Sequence, residues 1–96
     1  MNRYFKLLIV AAVVTSACAG IPSQEMSDAR QAVQAARDSG AEIYAPQELN
    51  QAVELLSRAK DALAEDAYEQ ARSDAVAAKQ AATKARSKAL QKNLTP

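Results

Sequence analysis

Residues 67–91 read AYEQARSDAVAAKQAATKARSKALQ, and within them Ala71, Ala75, Ala78, Ala82, Ala85 and Ala89 recur at spacings of 4, 3, 4, 3 and 4. That period matches one stripe of an α-helix and no strand. The spacing predicts a helix from about Ala67 to about Gln91, roughly 36 Å long at ~1.5 Å per residue. Its seam is made only of methyl groups. Each buries little apolar area, so the drive per residue is small. In exchange, two axes can approach near the lower end of the ~8–10 Å range, and alanine has the best intrinsic helix propensity.

Working back along the chain, Leu49, Ala52, Leu56, Ala59 and Leu63 form a second seam at 3, 4, 3, 4, broadened by Val53 and Leu55. Pro46 suits the first turn of this helix, where its missing N–H is not needed, and the helix is expected to run to about Ala64. Its larger side chains are expected to fill against the alanine seam. Between these two helices, Glu65-Asp66-Ala67 contains neither Gly nor Pro. Asp66 with Glu69 three residues later predicts a capping-box-like start, and a turn rather than one continuous helix gives each seam a partner.

A third periodic segment lies earlier. Met26, Ala29, Val33 and Ala36 share one face of a helix predicted from about Gln24 to about Asp38, with Ser23 as its N-cap. Ser39-Gly40 ends it, since glycine readily takes the left-handed C′ conformation. Residues 41–45 read as a connector. The expected fold class is all-α: a short three-helix bundle, or an antiparallel hairpin, with alanine-rich heptad seams over residues 24–92.

The first twenty residues have a different character. Arg3 and Lys6 precede the unbroken apolar run Leu7–Val14 (LLIVAAVV), and Thr15-Ser16-Ala17 are small residues placed before Cys18. This is the order of a secretory signal, and its apolar run is far shorter than the ~20 residues that span a bilayer. Ser16, Ala17 and Cys18 resemble a bacterial lipobox; Thr15 stands where Leu is usual. The resemblance implies cleavage between Ala17 and Cys18, a diacylglyceryl group on the Cys18 sulfur and N-acylation. Residues 1–17 are then the signal peptide, and residues 18–23 the lipidated Cys and a tether containing Gly20, Ile21 and Pro22. Two or three acyl chains at ~0.8 kcal/mol per buried CH₂ hold a protein on a membrane far longer than one does. Ala19, rather than Asp, implies carriage to the outer membrane, so the expected location is its inner leaflet, facing the periplasm.

Composition narrows the function. The 96 residues contain no His or Trp, and Cys18 is the one Cys. Metal sites built on imidazole or thiolate and Ser–His or Cys–His pairs are therefore excluded, as is a disulfide within the chain. Removing Arg3 and Lys6 with the leader takes the formal charge from +1 to −1, which does not suggest nucleic acid as a partner. A helical domain of this size offers little room for a closed pocket, so no cofactor, small-molecule substrate or enzymatic activity is expected. The carboxylates Glu65, Asp66 and Glu69 cluster at a turn, where capping accounts for them.

Charge is also uneven along the last helix. Its final acid is Asp74; Lys79, Lys84, Arg86, Lys88 and Lys92 follow without compensation. They complement the helix dipole, and they are candidate contacts for an acidic protein, anionic lipid or peptidoglycan. Tyr44 and Tyr68, the aromatic residues beyond the leader, are expected to be structural: Tyr44 packing the connector, Tyr68 wedged against the second helix near the turn.

Two stretches carry a family resemblance: AEIYAPQEL at residues 41–49 and ALAEDAYEQAR at residues 62–72. Together they resemble domain of unknown function 4398, over roughly residues 20–90. The Tyr-Glu-x-Ala element at residues 68–71 is shared with tetratricopeptide repeats. The resemblance implies a short alanine-rich helical domain, often on lipoproteins and sometimes followed by an OmpA-like peptidoglycan-binding domain, with no established activity. No wall-binding residue carries over. The expected role is a membrane-tethered structural or adaptor module acting through helix–helix contacts, with an envelope protein or with itself. The alternative is binding of peptidoglycan or anionic lipid through the basic end.

Overall fold

A computed structural model describes residues 20–94. Four helices follow one another: α1 (Ser23–Asp38), α2 (Ala41–Tyr44), α3 (Pro46–Ala64) and α4 (Tyr68–Leu94). The domain is all-α, and α1, α3 and α4 form a three-helix bundle, the first of the two expected architectures. α4 is central: it packs along both α1 and α3, which touch each other over less of their length. Cross-helix pairs fix the directions. Glu25 and Asp28 of α1 meet Arg72 and Lys79 of α4 in the same order along both helices. α3 meets the far part of α4 with Glu48, near its own start, and returns to the turn before Tyr68. Hence α1 and α4 run parallel and α3 runs against both.

The core is the set of seams the spacing predicts. Met26, Ala29, Val33 and Ala36 are buried on α1, and Leu49, Ala52, Leu56 and Ala59 on α3. All six alanines of the α4 seam are 0% exposed. Complete burial of a methyl group requires the facing helices to lie close against α4, as an alanine seam permits. Leu63 is half-buried and packs against this core, and Ala62 beside it is buried. Among the described residues, every buried one lies between Pro22 and Ala89, so this core is made within that segment.

Both predicted breaks are real, by mechanisms only partly foreseen. Gly40 has φ +85°, and its N–H bonds to the Arg37 carbonyl at 3.0 Å. The connector is not irregular throughout: α2 adds one helical turn that buries Ala41, and Ala45 is buried behind it. Tyr44 packs half-buried against the core, as expected. At the second break the capping-box reading is corrected. Asp66 has φ +60°, and the turn is a Schellman motif: the Ala67 N–H bonds to the Ala62 carbonyl at 2.9 Å and the Asp66 N–H to the Leu63 carbonyl at 3.1 Å. Asp66 fills the place glycine usually holds, because a short polar side chain tolerates the left-handed region better than most. Ser23 is likewise not the N-cap of α1. Helical geometry begins with it, Pro22 stands at the cap position, and the Met26 N–H bonds to the Pro22 carbonyl at 3.0 Å. α4 runs three residues beyond the predicted Gln91.

Candidate functional site

Two ends of the bundle carry the candidate functional groups. At one end the chain enters at Gly20, beside the Glu65–Ala67 turn. Cys18 and the Ala17–Cys18 cleavage site lie outside the described residues. Arg72, on the first turns of α4, fixes the entry point: its Nη2 donates to the Gly20 carbonyl at 3.0 Å. The same guanidinium lies 3.5 Å from Glu25 and 3.7 Å from Glu69. Gly20, Asp66, Tyr68, Glu69 and Arg72 together line an open crevice of about 430 Å³. Tyr68 borders this crevice. It is half-buried, and its hydroxyl donates to Asp66 Oδ1 at 3.2 Å. The Asp66 charge, then that hydrogen bond, raises the Tyr68 pKa above the ordinary phenol value, since both penalise the phenolate.

At the opposite end lie the basic residues of α4, and the structure divides them. Lys88 is compensated: its Nζ donates to Glu48 Oε1 at 2.7 Å, with the Glu48 side chain 16% exposed. This charge-assisted bond is the main reason the Glu48 carboxyl is held below the ordinary carboxylate range. The other oxygen, Oε2, is buried with no hydrogen-bond partner among the described residues. Lys79 sits 3.9 Å from Asp28 of α1. The expectation of five uncompensated charges is therefore corrected. Lys84, Arg86 and Lys92 are the members with no described carboxylate within 4.0 Å. Lys84 still acts at a distance on Glu48.

Sequence reasoning missed Arg72 and Glu48, the two residues that organise these ends. Their partners are 52 and 40 residues away in the chain. Nothing local marks either one, because the pairing depends on how the helices rotate against each other. Among the described residues no cluster of three or more His, Cys, Asp or Glu is placed to hold a metal ion. No described helix is long and apolar enough to cross a membrane.

A short parallel-and-antiparallel bundle with a methyl-lined central helix is the class the fold defines. The profile described as Domain of unknown function (DUF4398) matches residues 24–95, and the chain belongs to that family. No curated protein and no solved structure matches it.

Proposed function

We propose that this chain is a membrane-tethered lipoprotein of the bacterial envelope whose bundle serves as a non-catalytic adaptor through helix–helix contacts. The observation that supports it best is the polarity of the bundle. The chain arrives from the Cys18 side at one end, pinned by Arg72, while the uncompensated cations sit toward the other end of α4. At ~1.5 Å per residue, the 27 residues of α4 extend about 40 Å. A lipid on Cys18 then leaves the far part of the bundle facing away from the bilayer, where a partner reaches it.

Intact-mass measurement of the native protein tests the tether. The expected mass corresponds to a chain starting at Cys18 plus a diacylglyceryl group and an acyl chain, and Cys18→Ser shifts the protein from the membrane to the soluble fraction. A chain that still begins at Met1, or a Cys18→Ser variant bound as firmly as the wild type, removes the reading.

A second reading, contact with peptidoglycan or anionic lipid, rests on Lys84, Arg86 and Lys92. Reversing all three to Glu is then expected to abolish co-sedimentation with isolated wall sacculi or anionic vesicles. Unchanged co-sedimentation eliminates it.

A further inference from the structure

α4 carries a second stripe. Val76, Gln80, Thr83, Ser87, Leu90 and Leu94 follow one another at spacings of 4, 3, 4, 3 and 4. All six are exposed, and Val76, Leu90 and Leu94 are 41%, 40% and 84% exposed. At 3.6 residues per turn this stripe lies roughly 140° round the helix from the buried alanine seam, and Val76, Gln80 and Thr83 border an open groove beside α1. The stripe contains no charge, in a helix whose remaining exposed surface is largely charged. An amphipathic helix needs one seam to pack, and α4 has, besides that seam, an uncharged outer stripe that exposes Val76, Leu90 and Leu94.

Basic residues border the stripe on both sides. On the α1 side Glu25 and Asp28 join Lys79 along the half of the stripe that holds Val76, Gln80 and Thr83, which leaves Lys84 and Arg86 as its unpaired borders. Lys79 and Arg86 lie on the α1 side: Lys79 reaches Asp28, and Arg86 shares an open groove of about 430 Å³ with Asp28, Ala32 and Ala35 of α1. Lys84 lies on the α3 side, where it acts on Glu48. α4 has no acidic residue after Asp74. In the heptad frame set by the stripe, Lys79, Lys84 and Arg86 occupy the flanking positions that contact a partner helix's own flanks.

We infer that this outer face of α4 docks a helix of a partner protein whose apolar seam is bordered by Asp and Glu. The inference deepens the adaptor reading by naming the chemistry of the partner. Self-pairing is disfavoured by the same residues. α4 against α4 brings Lys79, Lys84 and Arg86 onto the same cations in either direction, and like charges at flanking positions repel. A bilayer is a poorer occupant, because Gln80, Thr83 and Ser87 lack the large apolar side chains that a surface-lying helix buries among acyl chains. Thr83 and Ser87, small and uncharged, instead suit close approach of a second helix.

The test uses residues 20–96, whose described core lies within residues 22–89, so lipid on Cys18 plays no part and failure here is separable from failure of the tether. Two labelled helical peptides share one Ala/Leu seam; one carries Glu at the flanks, the other Lys. Fluorescence anisotropy is expected to show binding of the Glu-flanked peptide, weakened by salt, and none of the Lys-flanked one. Lys84→Glu with Arg86→Glu is expected to swap that preference. Leu90→Asp is expected to weaken binding on the order of ten-fold, with the circular dichroism spectrum unchanged. Equal binding of both peptides, binding of neither, or a preference that survives the charge reversal overturns the inference. So does concentration-dependent dimerisation lost in Leu90→Asp, or capture by anionic vesicles that the Glu-flanked peptide fails to compete.

Discussion

Two residues hold the backbone where a side chain is ordinarily unwelcome, and they differ in how well they suit it. Gly40 sits at φ +85°, and a Cβ there would lie 3.2 Å from Tyr44 Cδ2. Gly40→Ala therefore adds both left-handed strain and a tight contact. It is expected to lose about 1–2 kcal/mol, read as a lower thermal midpoint by circular dichroism. Asp66 occupies the equivalent conformation with a side chain present. Asp66→Gly is expected to melt at or above the wild type, and Asp66→Ala about 4–8 °C below Asp66→Gly, corresponding to ~1 kcal/mol in a domain of this size. Equal midpoints for Gly and Ala would show that the turn stores no strain. The sequence displays Gly40 openly. It disguises Asp66, because an Asp followed three residues later by Glu also spells the start of a helix. Which of the two readings wins depends on where α3 stops, and that is set by packing.

Among elements, α4 decides the architecture with the least material. Its seam residues are completely buried yet contribute one methyl each, so the close approach of α1 and α3 is itself the stabilising feature. Ala82→Leu is expected to destabilise by about 1–3 kcal/mol, because the added carbons meet helices already in contact. Urea unfolding of residues 20–96 measures it; a stabilised Ala82→Leu would mean that the seam contains unused space. Helix positions and buried faces were legible because each seam repeats within its own segment. Partners across the bundle were not. Lys88 is uncompensated in the sequence and finds Glu48 only because α3 places it there, and nothing near Arg72 in the chain marks it as the partner of Gly20.

For the whole molecule, Glu48 is expected to contribute to the loss of stability in acid. Its folded-state carboxyl is held below the ordinary carboxylate range by Lys88. The unfolded chain therefore takes up the proton first as pH falls. The contribution of Glu48 is present at neutral pH and is lost as pH drops through the lowered folded value. Glu48→Gln is expected to lower the midpoint at pH 7 and to flatten its decline in acid, seen by thermal melts across that range. A variant that declines as steeply as the wild type would assign the acid sensitivity to other carboxylates.

The Arg72 bond to Gly20 also governs how freely a tethered bundle swings. With the Gly20 carbonyl held and Pro22 buried, slack between a lipidated Cys18 and the bundle is confined to two residues, at most ~7 Å of chain. On the proposed anchor the bundle would stand on its acyl chains as a post on a short footing, and its working radius would be set by the height of α4. A longer leash would let the same domain sweep a hemisphere; on that anchor this one would confine a partner search to within the height of the bundle above the lipid surface.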